Sequence, residues 1–225
     1  MTRSGRILTF RLIEIDAALR REHSYLSEDD RCYCLGEYHP RGGFAAGPVN
    51  SMISNFKKPV TRRGLVEYRH KDNDIVRAGA LVRSVFNAQG LAACTFVPMP
   101  PSKARNDPLY DDRLLRVLRT GEPQLDVREL LLMTGSTRAH HEYAEGERRP
   151  TPQELYEMMA IDVAQLTPAL RPTVFLFDDV LTNGTHFKAG KRRILEVAPQ
   201  VEVVGLFIGR RKPQVIEFDA GDFEL

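Results

Sequence analysis

Two adjacent carboxylates close an uninterrupted apolar run in Thr173-Val174-Phe175-Leu176-Phe177-Asp178-Asp179, and after Val180 and Leu181 a small polar turn follows, Thr182-Asn183-Gly184-Thr185-His186. A run of Val, Phe and Leu without polar interruption suits a strand buried on both faces of a sheet. Asp178 and Asp179 are then expected at its carboxyl edge, where open α/β sheets bind ligands. The turn offers hydroxyls and backbone N–H groups to an anion, with Gly184 where the main chain must bend sharply. A phosphate at the start of the following helix fits that chemistry. Standing alone, an acidic pair of this kind would read as the solvent-facing start of a helix after a buried strand.

A second segment pairs with the first. Cys94-Thr95-Phe96-Val97-Pro98-Met99-Pro100-Pro101-Ser102-Lys103-Ala104-Arg105 is an apolar strand that ends in prolines and then presents two cations. Proline cannot continue a central ladder, so the strand stops near Val97 and the chain turns outward. Lys103 and Arg105 therefore sit on a loop, where an ammonium and a guanidinium can stabilise charge on a phosphate group.

In these residues the chain resembles the type I phosphoribosyltransferases, whose signature is a hydrophobic strand, Asp-Asp, two apolar residues, Thr-Thr-Gly, a variable residue and a final Thr or Ser. Asp178, Asp179, Thr182 and Gly184 match it, and Thr185 falls in the variable slot. Asn183 stands where the second Thr is usual, and His186 where the final hydroxyl residue is usual. The Val97-Pro98-Met99-Pro100 segment with its basic neighbours is similar to the competence-protein F (ComF) type of these enzymes.

The resemblance implies binding of phosphoribosyl pyrophosphate (PRPP) with Mg²⁺ and transfer of the phosphoribosyl group to a nitrogenous base or related small-molecule acceptor. It assigns Asp178 and Asp179 to the ribose hydroxyls, and to the metal indirectly, through PRPP or water. Val180, Leu181, Thr182, Asn183, Gly184, Thr185 and His186 would line the 5′-phosphate, and Ser102, Lys103 and Arg105 the leaving pyrophosphate. Like charges repel, so neutralising both aspartates is expected to leave the unliganded fold as stable or more so. A rival reading on the same fold is a non-catalytic regulator that senses PRPP or a nucleotide, in contact with nucleic acid or a partner protein. The Asn183 and His186 departures keep it open.

The formal charge of +2, from 32 basic and 30 acidic residues, exerts no global pull toward nucleic acid or an anionic membrane. Lys188, Lys191 and Arg192, on one helical face, read as a solvated surface. Three cysteines in 225 residues cannot all pair internally, and Cys32-Tyr33-Cys34 with His39 lacks the spacing of a structural zinc site. No run approaches the ~20 apolar residues of a membrane span, and a cytoplasmic protein is expected, with a homodimer as its candidate assembly.

The fold expected is α/β, a Rossmann-like parallel sheet of four or five strands flanked by helices, with residues 1–70 as a small N-terminal hood and residues 71–225 as the core. Along the chain, Arg6 to Ile15 reads as a strand. Asn50 reads as the cap of a short helix with Met52, Ile53 and Phe56, and Asp74 starts a longer one ending near Gly90. Tyr110 to Leu118 reads as a helix and Val127 to Met133 as a strand. Thr134 to Pro150 has no apolar periodicity and fits a lid loop, with Arg138 and His140 as its candidate contacts. Thr151-Pro152-Gln153-Glu154 joins a capping box to a proline at the first helical position. From there Leu155, Met158, Met159, Ala160, Val163 and Leu166 predict one helix up to Pro168. Phe187 to Val197 predicts a helix and Val201 to Ile208 the last parallel strand.

Overall fold

The computed structural model describes residues 12–136, 148 and 150–213. Its centre is a seven-stranded sheet, parallel except at one edge. In chain order the strands are β1 (Ile13–Glu14), β2 (Cys32–Cys34), β3 (Glu37–Tyr38), β4 (Cys94–Pro98), β5 (Asp126–Val127), β8 (Thr173–Leu181) and β9 (Glu202–Arg211). In space they run β1-β2-β9-β8-β4-β5, with β3 continuing alongside β9 beyond β2. β6 (Leu131–Met133) and β7 (Met159–Ile161) form a separate antiparallel ribbon. The helices are α1 (Ala17–Arg20), α2 (Pro48–Phe56), α3 (Arg69–Ser84), α4 (Ala88–Ala93), α5 (Arg113–Arg119), α6 (Pro152–Glu157) and α7 (Thr185–Val197).

The α/β class and the parallel sheet agree with the sequence. β4 is buried along its whole length, as is β8 from Val174 to Asp178, which is why both read as unbroken apolar runs. Phe86, Phe96 and Phe175 interlock on one side of the sheet, with ring centroids 5.0–5.8 Å apart. On the other side Gly190 of α7 lets the helix approach β8, since a Cβ there would lie 2.8 Å from Leu176 Cδ2.

Several local expectations are corrected. The central sheet has strands that the sequence did not show: β2 and β3 both pair in parallel with β9. Asn50 caps nothing; α2 starts at Pro48, and the buried Asn50 amide instead bonds both the N–H and the carbonyl of His39, at 2.9 and 2.8 Å. The expected Val127–Met133 strand is two pieces. β5 ends where Arg128 turns away to bond Asp126 and the carbonyls of Gln165 and Pro168.

The capping box forms as expected, Glu154 N–H donating to Thr151 Oγ1 and Thr151 N–H to Glu154 Oε2. The helix stops at Glu157, however, because Met159–Ile161 pairs with β6. Met159 is buried whereas Val163 is 71% exposed, so the stripe of apolar residues is not one inward face. Short apolar runs satisfy helical and strand spacing alike, and β6 supplied an edge to complete. Arg138 and His140 lie outside the described residues.

Candidate functional site

β8 lies between β4 and β9, all three parallel. Pairing with β4 reaches Pro98 opposite Phe177, and Met99 N–H still donates to Phe177 O at 2.8 Å. There the proline segment turns away, while β8 runs on against β9 as far as Leu181 opposite Arg210. The acidic pair is therefore inside the last part of the strand, beside the point where β4 leaves it. The Asp178-Asp179 strand and the Ser102–Arg105 loop are brought to one edge of the sheet.

Because side chains alternate along a strand, the two carboxylates take opposite sides of it. Asp178 shares the side of Leu176, facing α7, and its Oδ2 is 3.2 Å from His186 Nδ1. Its Oδ1 accepts the N–H of Asp179 at 2.8 Å. Asp179 turns to α5, where Oδ2 accepts from Arg113 Nη2 at 2.8 Å and Nε at 3.3 Å. Burial pushes the Asp178 carboxyl above its ordinary range, with the charge of Asp179 adding to it and the His186 bond opposing. Burial acts on Asp179 in the same sense, but Arg113 outweighs it and holds that carboxyl down to about 2. Burial lowers the His186 imidazole and the two aspartates raise it, the bond to Asp178 foremost, with a net rise.

The turn after β8 organises itself. Asn183 Oδ1 accepts from Thr185 Oγ1 at 2.7 Å, Thr185 N–H at 3.2 Å and Thr182 Oγ1 at 3.3 Å. A single amide oxygen thus gathers the donors of the turn, including the first N–H of α7. Gly184 has φ 91°, in the left-handed region, and starts α7. Leu181 is buried, so its side chain faces the core and only its backbone borders the turn; Val180 is half-buried.

A segment with no motif of its own covers this turn. The buried His23 donates from Nδ1 to Thr182 O, Tyr25 N–H donates to Asn183 O at 2.9 Å, and Leu26 packs over Gly184. The strap is anchored by Asp30, fully buried and bonded to Lys188 at 2.7 Å and Lys191 at 2.8 Å. Two of the three basic residues read as a solvated face are therefore internal partners. The third, Arg192, stacks 3.8 Å over the Tyr156 ring and bonds Gln153.

A side chain at residue 184 meets both constraints at once. Gly184→Ala is expected to destabilise the fold by about 1–2 kcal/mol, from the left-handed backbone and from a Cβ placed 2.8 Å from Leu26 Cδ2. Urea unfolding of the variant and the wild type measures it.

On the β4 loop, Arg105 turns toward Glu129 at 3.3 Å and Asp162 at 3.7 Å, with its side chain still 48% exposed. Ser102 and Lys103 are half-buried. Ala104 N–H donates to Ser136 Oγ at 3.1 Å and Ser136 Oγ to Asp107 at 2.5 Å, which ties this loop to the start of the expected lid.

Sequence reasoning missed Arg113, His23 and the buried Lys71. Arg113 had one visible signal, the Asp111-Asp112-Arg113 run that opens the apolar Leu114, Val117, Leu118 face of α5. His23 had none.

Among the described residues no three His, Cys, Asp or Glu side chains gather as a metal-holding group. Cys32 and Cys34 are buried thiols, pushed up by burial to about 12 and about 11. With His186 on Asp178 and Arg113 on Asp179, the acidic pair suits a cation reached through water or ligand oxygens rather than one bound directly. No protein-family model matches the chain, and no curated protein matches it.

Proposed function

We propose that the protein binds PRPP with Mg²⁺ and transfers its phosphoribosyl group to a nitrogenous acceptor, releasing pyrophosphate. The observation that carries the reading is the juxtaposition at one sheet edge of Asp178-Asp179, the Thr182–Thr185 turn at the start of α7, and the Pro98–Arg105 loop. A 5′-phosphate at that turn would meet backbone N–H groups at the start of α7 and the Thr182 hydroxyl, while Thr185, buried with its hydroxyl on Asn183 Oδ1, would support the turn from within. The ribose would lie across the end of β8, its hydroxyls accepted by Asp178 and Asp179. The diphosphate would then reach Lys103 and Arg105.

Transfer of this kind asks little covalent help from protein. As the bond from C1 to pyrophosphate breaks, positive charge grows on the ribose and negative charge on the leaving group. Asp178 and Asp179 stabilise the first, and Lys103 and Arg105 the second. Mg²⁺, when bound, would supply charge neutralisation for the diphosphate, with Asp178 and Asp179 reaching it indirectly, through PRPP or water. Arg105 must exchange Glu129 and Asp162 for phosphate oxygens; its own side chain is 48% exposed and the two contacts are long, at 3.3 and 3.7 Å, which lowers the cost of the exchange.

One feature favours the regulator as second reading. Both aspartates already have protein partners beside them, Arg113 on Asp179 and His186 on Asp178, and Asp178 is only 6% exposed. Incubation with PRPP, Mg²⁺ and a panel of nitrogenous bases, scored for pyrophosphate release, separates the two. Turnover with any base establishes the transferase; saturable PRPP binding without turnover across the panel establishes the regulator. Absence of PRPP binding overturns the transferase, and absence of nucleotide binding as well overturns the regulator.

A further inference from the structure

Lys71, in α3, has no solvent exposure at all. An ammonium stripped of water costs several kcal/mol unless its donors are used. Here they are used: Asp111 Oδ2 accepts at 2.6 Å and Lys58 O at 2.8 Å, with the Tyr68 ring centroid 5.5 Å away. The same Asp111 oxygen accepts from Arg113 Nη1 at 3.1 Å. The opposite side of that guanidinium makes the two bonds to Asp179 Oδ2. A line of alternating charge, Lys71, Asp111, Arg113, Asp179, thus runs from the interior to the candidate site.

Helix stability does not explain Arg113. It is the first residue of α5, where the positive end of the helix opposes a cation. The arrangement instead restrains Asp179. Two donors on one carboxylate oxygen limit rotation about the last side-chain bond, and the guanidinium is itself held at its far side by Asp111. The second oxygen, Oδ1, lies outside that fork. A lysine, with a single rotatable ammonium, could not impose the same restraint.

We propose that Arg113 is the positioning residue of the candidate site, fixing Asp179 so that Oδ1 accepts a ribose hydroxyl, and that the line Lys71-Asp111 makes the site selective for ribose over 2-deoxyribose. The proposal rests on the phosphoribosyl reading above. A hydroxyl donating to a held carboxylate contributes on the order of 1.5–3 kcal/mol, so its absence from the ligand lowers affinity about tenfold or more. The phosphate and diphosphate ends of a ligand do not touch Arg113 and are unaffected by it.

Calorimetric titration of the full chain with ribose 5-phosphate, 2-deoxyribose 5-phosphate and pyrophosphate tests this. Wild type is expected to prefer ribose 5-phosphate over its deoxy analogue about tenfold or more. Arg113→Gln should bring that ratio close to one with pyrophosphate affinity within about twofold of wild type, and Arg113→Lys should restore part of it. If Arg113→Gln does not fold, the paired change Lys71→Met with Asp111→Leu removes the back of the line without removing Arg113, and should lower the ratio in the same direction. A folded Arg113→Gln protein that keeps the wild-type ratio, or that loses all three ligands equally, overturns the positioning role while the phosphoribosyl reading stands. A wild type that binds neither sugar phosphate overturns that reading, and this proposal with it.

Discussion

Saturating PRPP with Mg²⁺ is expected to raise the melting temperature of the wild-type chain, and Asp178→Asn to abolish the rise. Ligand at a hundred times its dissociation constant adds about 2.7 kcal/mol, which for a domain of this size is a shift of about 5–10 °C. Asn keeps the shape of Asp178 and an oxygen for the Asp179 N–H, now accepted at 2.8 Å. Burial already disfavours the charged form of this carboxyl, so the unliganded variant should stay within about 1 kcal/mol of wild type. Asp179→Asn is a different experiment. It strips the charge facing the buried side of Arg113, and a cost of about 3 kcal/mol is expected. The expectation that the pair could be neutralised without harm thus fails for Asp179, whose attraction to Arg113 exceeds its repulsion of Asp178. Differential scanning fluorimetry with and without ligand reads both effects, and an unshifted wild type at millimolar PRPP would sink the site assignment.

Asp30→Ala is expected to remove about 3 kcal/mol of folding free energy at neutral pH. The carboxylate is fully buried and accepts from Lys188, Lys191 and both the N–H and the hydroxyl of Ser27. The two lysines are 30% and 18% exposed, so once released they reach water, which keeps the loss at the lower end for a broken buried pair. Burial alone would raise the Asp30 carboxyl; the lysines reverse that and hold it down to about 2, against an ordinary 3.8. A folded-state value below the unfolded one means stabilisation that is complete above about pH 4 and fades as pH falls through about 2. Urea unfolding of wild type and variant from pH 7 to pH 2 should show the gap closing only at the acid end. A gap constant with pH would mean that Asp30 acts by packing, not by charge. The same substitution frees the strap over Thr182 and Asn183, so PRPP affinity should fall alongside stability.

How much was legible in the sequence follows from which interactions are local. The β4 and β8 strands, the sharp turn at Gly184 and the start of α6 each depend on neighbours a few residues away: apolar runs, a residue free of Cβ, a Thr-x-x-Glu box. Those features identified the acidic pair and the proline segment as one edge of a parallel sheet, and the sheet places them there. The end of α6 was not legible, because Met159–Ile161 became a strand only when β6 stood ready to pair with it.

The candidate site divides in the same way. Sequence alone determined that the chain is α/β and that a polar, glycine-bearing turn joins the β8 strand to a helix. Only tertiary structure decided that Asp179 is held by Arg113, 66 positions away, that Asp178 lies 3.2 Å from His186, and that His23 closes the turn from 159 positions away. Pairwise charge contacts carry no periodic trace in a sequence: an Arg on a helix reads the same whether it meets water or a buried carboxylate. Which it meets is settled by how the helices pack on the sheet.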